Sequence, residues 1–261
     1  MNVNSENIKN YGEFIKMDAE KFNSALLETL SAEHMRNGIG TYSEGTLHAV
    51  LKKYYEPDSD RHELKVGKYV ADIVGQNGII EIQTRQLFKM KEKIKAFLEV
   101  SDVTVVYPVS AAKYVSWRDE ATGEICGRRK SPKKCSVYDA MGELYSLQGF
   151  ISHPGFHFVV LMLETEDYKD FRLNKYGKKT EVRRFDRIPL KLLSEELFNC
   201  KADYGKLIPA DLPDEFTSAD FGKCAGISRS LAQLTLNIFN NVEIVERIGR
   251  DKKGYIYSVC K

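Results

Sequence analysis

The chain has 261 residues, 43% of them hydrophobic, enough for one large domain or a medium domain with a small one. A formal net charge of +2 excludes the strongly basic composition that would by itself announce a nucleic-acid binder, so local clusters must carry any such role. No run of about 18 apolar residues occurs, so no membrane span is expected. No charged-then-apolar leader opens the sequence. Cys126, Cys135, Cys200, Cys224 and Cys260 are scattered without a CxxC pair and read as free thiols of a reducing compartment, which makes a cytoplasmic protein the expectation.

Residues 1–37 read as a polar lead-in and an amphipathic helix over about 18–35, with Phe22, Leu26, Leu27 and Leu30 as its apolar stripe. Asn37-Gly38-Ile39-Gly40 breaks it. Ser43 is placed to cap a second helix over 44–55, whose Leu47, Val50 and Leu51 face inward. Strands are predicted at about 62–66, 68–75 and 79–84, with Asn77-Gly78 marking a hairpin between the last two. A basic amphipathic helix over about 85–98 follows, then a buried strand over 103–107 ended by Pro108. Strand, helix, strand in this order is a βαβ unit, so strands 79–84 and 103–107 are expected to run parallel.

The middle of the chain reads as irregular. A hairpin is predicted around Glu120-Ala121-Thr122-Gly123, followed by a basic loop with five cations in seven residues, Arg128, Arg129, Lys130, Lys133 and Lys134, which reads as one phosphate-contacting element or else as a solvated loop. A helix over about 138–149, an apolar strand over 156–163, an acidic loop over 164–170 and a strand near 180–188 come next. Ile208-Pro209-Ala210-Asp211-Leu212-Pro213 reads as a linker to a separate unit at 214–261. There Thr217 and Ser218 cap a short helix, Gly226 turns the chain, Ser228 opens a second helix, and two strands near 242–246 and 254–259 close the sequence. Helix, glycine turn, helix and two-stranded wing is the layout of a winged helix-turn-helix. Arg229 on its second helix and Arg250, Lys252 and Lys253 on its wing suit phosphates, and Gln233, Thr235, Asn237 and Asn240 are the polar groups able to reach base edges.

The most informative stretch is Lys65 to Thr84. Two apolar strand runs flank the Gln76-Asn77-Gly78 turn, and each carries one acid, Asp72 and Glu81. An ionised carboxylate beside a core is costly unless compensated, and a divalent cation is a common compensation. Glu44, His48 and Lys52 recur every four residues and share one helix face. Glu44, Asp72 and Glu81 therefore come from consecutive elements, as metal-assisted phosphodiester cleavage requires. The bland alternative places Asp72 and Glu81 on the solvent face of a hairpin and makes Glu44 a favourable acid in a first helical turn. His153 and His157 have metal-like spacing, but Pro154 and Gly155 deny them a helix. Trp117 and the tyrosines read as packing residues.

On Asp72, Glu81-Ile82-Gln83 and the helical Glu44, residues 40–110 resemble the PD-(D/E)xK, or restriction-endonuclease-like, nuclease superfamily. The resemblance implies an α/β fold with a mixed four-stranded sheet flanked by helices over 38–207. It implies Mg2+, with Mn2+ as a substitute, held by Asp72, Glu81 and Glu44, and hydrolysis of DNA. The family pattern has lysine where this chain has Gln83; glutamine holds a water but brings no charge, so Arg85, Lys89, Lys65 or Lys52 is expected to supply it. Cutting both strands would favour a homodimer. The alternative is a non-catalytic DNA-binding or regulatory protein with a degenerate nuclease-like domain; RNA as substrate is a third reading.

Overall fold

A computed structural model describes residues 17–36, 45–252 and 254–260. Helix α1 (Ala19–Arg36) and helix α2 (Thr46–Tyr55) precede strands β1 (His62–Val66), β2 (Tyr69–Gly75) and β3 (Gly78–Ile82). A 3-10 turn, Leu87–Met90, runs into α3 (Lys91–Leu98), where the sequence predicted one continuous helix. Then come β4 (Val103–Asp119), β5 (Ile125–Lys130), α4 (Tyr138–Leu144) with a 3-10 extension to Phe150, β6 (Phe156–Leu173) and β7 (Lys179–Phe198). The last elements are β8 (Phe216–Thr217), α5 (Ser218–Cys224), α6 (Arg229–Asn241), β9 (Val245–Asp251) and β10 (Gly254–Val259).

The protein is mixed α/β. Among the described residues its main sheet has seven strands rather than the four expected, in the order β1-β2-β3-β4-β6-β7, with β5 against β4. β3, β4 and β6 are parallel to one another, as the βαβ reading requires for β3 and β4. The hairpin between β2 and β3 closes on the pair Gly75–Gly78, and Gly78 has φ of 105° with the backbone of Asp102 where a Cβ would sit, so only glycine fits. Two apolar clusters cover the two faces. One joins α1 and α2 to Ile73, Ile80, Ile82, Val106 and Val159. The other joins α3 and α4 to Ile79, Val103, Val105, Phe156 and Phe158, and runs on into Phe221, Leu236, Phe239 and Tyr257 of the C-terminal elements. Ile208 and Leu212, in the segment read as a linker, pack against this second cluster.

Three differences from the sequence reading have clear causes. β4 does not stop at Pro108. Val106 O accepts from Gln83 N, so in this part of β4 alternate residues address β3; the missing N–H of Pro108 points to the side β3 has left and costs no ladder bond. The acidic stretch 164–170 is strand, not loop, because its buried carboxylates are paired. Glu166 takes Arg128, Asp167 takes Arg187 and Asp170 takes Arg118. Finally, α2 begins at Thr46 with Gly45 as its N-cap. The side-chain cap comes from far away: Asp186 on β7 accepts from the Thr46 N–H and from its hydroxyl. Ser43, the expected cap, lies outside the described residues.

The closing elements follow the predicted order, with Thr217 capping α5 and Ser228 capping α6. β8 adds a third strand to the terminal hairpin, in the order β8-β10-β9. No helix among the described residues is long and apolar enough to cross a membrane, and all five cysteines are free.

Candidate functional site

The β2–β3 ladder is regular from Gly75–Gly78 to Ile73–Ile80 and then gives way at Asp72. Side chains take over from the backbone there. Asp72 Oδ2 accepts from Ile82 N at 2.8 Å, and Asp72 N donates to Glu81 Oε1 at 3.2 Å. Each acid is thus tied to the other acid's strand, and the two carboxylates lie close enough to feel each other's charge. His48, from α2, completes the cluster: its Nε2 lies 3.2 Å from Asp72 Oδ2 and 3.1 Å from Ile82 O. A carbonyl only accepts, so the bond to Ile82 O requires the ring proton on Nε2.

The two acids are not equivalent. The Asp72 carboxyl is half-buried, and burial alone would push it up. The His48 bond and charge, the Ile82 N–H and the Lys93 ammonium outweigh that and hold it below the usual aspartate range. Glu81 is almost wholly buried, and burial, with the negative charge of Asp72, pushes it up to about 7 despite the nearby cation. That cation is Lys93 on α3, whose Nζ lies 2.5 Å from Glu81 Oε2. Burial and the charge of Asp72 thus disfavour a second negative charge in the pair.

Lys93 was not among the four cations the sequence suggested. Lys52 is buried and bonds Glu63 at 2.9 Å. Lys65 is exposed on the edge strand β1, Lys89 sits over the Phe88 ring, and Arg85 lies beside Arg184. A signal for Lys93 did exist. Glu81 and Ile79 alternate onto the face that α3 covers, and Lys93 borders the buried stripe of Met90, Ile94 and Phe97. Gln83 follows β3 directly, its N–H bonded to Val106 O, with its side chain half-buried. Glu44 lies outside the described residues. Among the described residues no group of three or more His, Cys, Asp or Glu side chains is arranged to hold a metal ion.

The basic residues divide. Arg128 and Lys130 share one face of β5, both near the Tyr114 ring, whereas the register pairs Arg129 with Val115 on the other. These residues are strand, not the loop expected. Lys133 lies 3.6 Å from Asp139, and Lys134 is exposed. Arg229 opens α6, Arg250 sits over Tyr255 on the terminal hairpin, and Lys252 is exposed in its turn. Lys253 lies outside the described residues. On α6, Thr235 is fully buried and bonds Leu231 O, and Asn237 accepts from Arg247. Thr235 is not free to reach a base as predicted, because helical spacing sends it inward with Ala232, Leu236 and Phe239. Leu231 also packs on Gly142 of α4.

The described residues thus define a mixed α/β protein with a large mixed sheet flanked by helices and an acid–acid–lysine cluster between β2, β3 and α3. The family described as "Domain of unknown function (DUF8091)" matches residues 45–199, more than half of the chain, and the chain belongs to that family. An uncharacterized protein of Treponema pallidum (strain Nichols) is 30% identical over 186 residues, 71% of this chain and 74% of the relative. No solved structure matches. The matched segment contains Asp72, Glu81 and Lys93 and ends before the C-terminal helices and hairpin.

Proposed function

We propose that the chain is a metal-dependent nuclease that hydrolyses DNA phosphodiester bonds, built on a sheet of the PD-(D/E)xK kind, with the C-terminal elements acting as a winged helix that docks it. One observation carries the reading: Asp72 and Glu81 converge where the β2–β3 ladder opens, with an ammonium, Lys93, on the inner acid. The family lysine missing at Gln83 is replaced in this reading by one from the following helix.

Asp72 and Glu81 would hold Mg2+, or Mn2+ in its place, with Glu44 as the third acid of the reading. The donor set fits such an ion. Both groups are hard carboxylate oxygens, burial and then the charge of Asp72 push Glu81 up, and Asp72 Oδ1 and both Glu81 oxygens keep lone pairs beyond the bonds described. The ion, when bound, neutralises the scissile phosphate and lowers the pKa of a bound water. His48 fixes the Asp72 carboxylate through Nε2. Lys93 places positive charge at the inner acid, and Gln83 offers an amide to orient a water.

A plasmid, a linear duplex, single-stranded DNA and RNA, each incubated with the full chain in Mg2+, Mn2+ or EDTA, test this. Cleavage in Mg2+ or Mn2+, lost in EDTA and in Asp72→Asn and Glu81→Gln variants with unchanged circular dichroism, is the expected result. Intact substrates throughout would overturn it. Double-strand cuts by a homodimer, read from sedimentation, are the expectation for the duplex.

A second reading, a non-catalytic DNA-binding or regulatory protein, draws on a different observation. Lys93 already compensates Glu81, and no three-ligand group occurs among the described residues. It predicts nucleic-acid binding that metals do not alter.

A further inference from the structure

Beyond Pro108, β5, β4, β6 and β7 form an arm of the sheet whose two faces differ in charge balance. Register assigns the faces, because paired residues on neighbouring strands point the same way. One face carries Tyr114, Arg118, Arg128, Lys130, Glu166 and Asp170, and its arginines are matched by carboxylates. Arg128 Nε lies 3.0 Å from Glu166, Arg118 makes two bonds to Asp170, and Arg183 reaches Glu120 at 2.8 Å.

The opposite face carries Lys113, Arg129, Lys169, Arg184 and Arg187 against Asp167 and, at the tip, Asp119. Asp167 is buried and serves two of these cations: Arg187 makes two bonds to it, at 2.5 and 3.0 Å, and Lys113 Nζ lies at 3.8 Å. Arg129, Lys169 and Arg184 have no carboxylate partner among the described residues; Lys169 sits 5.6 Å from the Trp117 ring centroid. Burial, then the charge of Arg187 and further off that of Arg85, outweigh the pull of Asp167 and Asp186 and hold the Arg184 guanidinium below its usual range, so cations crowd this surface. Arg85, whose charge acts on Arg184, lies two residues after Gln83 and three after the end of β3, which links the surface to the acid cluster.

We infer that this face of the arm, through Arg129, Lys169 and Arg184 with Lys113 and Arg187 behind them, docks the phosphodiester backbone of a nucleic acid. Cations with no carboxylate within bonding distance on a strand surface match a polyanion by charge, and nucleic-acid docking draws on such contacts. The assignment rests on the nuclease reading for the class of occupant. It differs from the sequence reading of the basic stretch 128–134 as one element: only Arg129 of Arg128, Arg129 and Lys130 belongs to the docking face.

The test compares two triple variants of the full chain with equal loss of charge. Arg129→Ala/Lys169→Ala/Arg184→Ala strips the proposed face. Lys21→Ala/Lys95→Ala/Lys130→Ala removes exposed lysines elsewhere. Binding to labelled single-stranded DNA, duplex DNA and RNA, and to polyglutamate, is measured in EDTA over a salt series, with circular dichroism and thermal melting to establish folding. The expected result is that the first variant loses affinity at least tenfold and its log–log salt slope falls by about 2 to 3, whereas the control keeps both. The strand form most affected identifies the source of the backbone. Equal effects in both variants, no binding by the wild type, or a loss confined to polyglutamate would overturn the inference. Because EDTA abolishes cleavage, weakened binding with no cleavage by the wild type in Mg2+ would sink the nuclease reading alone. Cleavage with unweakened binding would sink this inference alone.

Discussion

Lys93 Nζ stands 2.5 Å from Glu81 Oε2, and the backbone N–H of Asp72 stands 3.2 Å from the other oxygen of the same carboxylate. A buried acid is thus held between a helix and a neighbouring strand. If Lys93 supplies the charge that Gln83 lacks, Lys93→Met should abolish cleavage, whereas Lys89→Ala, one helical turn away, should leave it within about twofold, the range of an ordinary surface change. The sharper form is rescue: Gln83→Lys placed in the Lys93→Met background should restore part of the rate in a plasmid-nicking assay. A Lys93→Met enzyme as active as wild type would remove lysine from the site.

Glu81 gives a pH signature that needs no substrate. Its folded carboxyl is pushed up to about 7 from an ordinary 4.5, by burial first and Asp72 second. A raised acid binds its proton more tightly in the folded state, so folding carries no penalty below the unfolded value. The penalty grows as pH rises from about 4.5 and is complete above about 7. Glu81→Gln cannot ionise. In EDTA it should match wild type near pH 4.5 and exceed it at pH 8, by up to about 3 kcal/mol less the lost Lys93 bond. Urea midpoints across this window check it; parallel curves for the two proteins would contradict the raised carboxyl.

The central sheet was legible because short-range signals specify it. Asn77-Gly78 marked the β2–β3 turn, and strand–helix–strand order gave the parallel β3–β4 pair. Asp72 and Glu81 stood out as acids inside apolar runs. The longer strands were hidden because their stabilising partners are distant in sequence. Glu166, Asp167 and Asp170 look like a solvated loop until Arg128, Arg187 and Arg118 are brought beside them. Lys93 was missed for a related reason. The family pattern directs attention to the residue after the strand acid, whereas contact depends on how α3 crosses β3. On α6, Thr235 looked available because a polar residue was read without its helical phase.

The α2 cap is a second long-range device. Gly45 brings no side chain, and Asp186 from β7 accepts from both the N–H and the hydroxyl of Thr46. Asp186→Ala should cost about 1–2 kcal/mol in urea unfolding, the usual worth of a cap, and Asp186→Asn clearly less, since its amide oxygen can still accept. Because His48 lies within the next turn, the Ala variant should also weaken cleavage. Equal stability of the Ala variant and wild type would show that the cap contributes nothing.

The arm's stability should depend on Asp167 more than on any exposed ion pair. Its carboxylate is buried and takes both bonds of the Arg187 guanidinium, with Lys113 at 3.8 Å. Removing Arg187 alone strands a buried charge, which costs about 3–5 kcal/mol where no other cation compensates, and Lys113 should hold the loss to the lower end. Removing both partners removes the stranded charge as well. Arg187→Met/Asp167→Leu should therefore recover most of what Arg187→Met loses, even though two native bonds are gone. Arg172→Ala, at an exposed pair with Glu120, should change stability by less than about 1 kcal/mol. Chemical denaturation of wild type, Arg187→Met, Asp167→Leu and Arg187→Met/Asp167→Leu completes a double-mutant cycle for Asp167 and Arg187. A double variant less stable than Arg187→Met alone would mean that Asp167 still stabilises the arm without Arg187, through Lys113, and is not a stranded charge in the single variant.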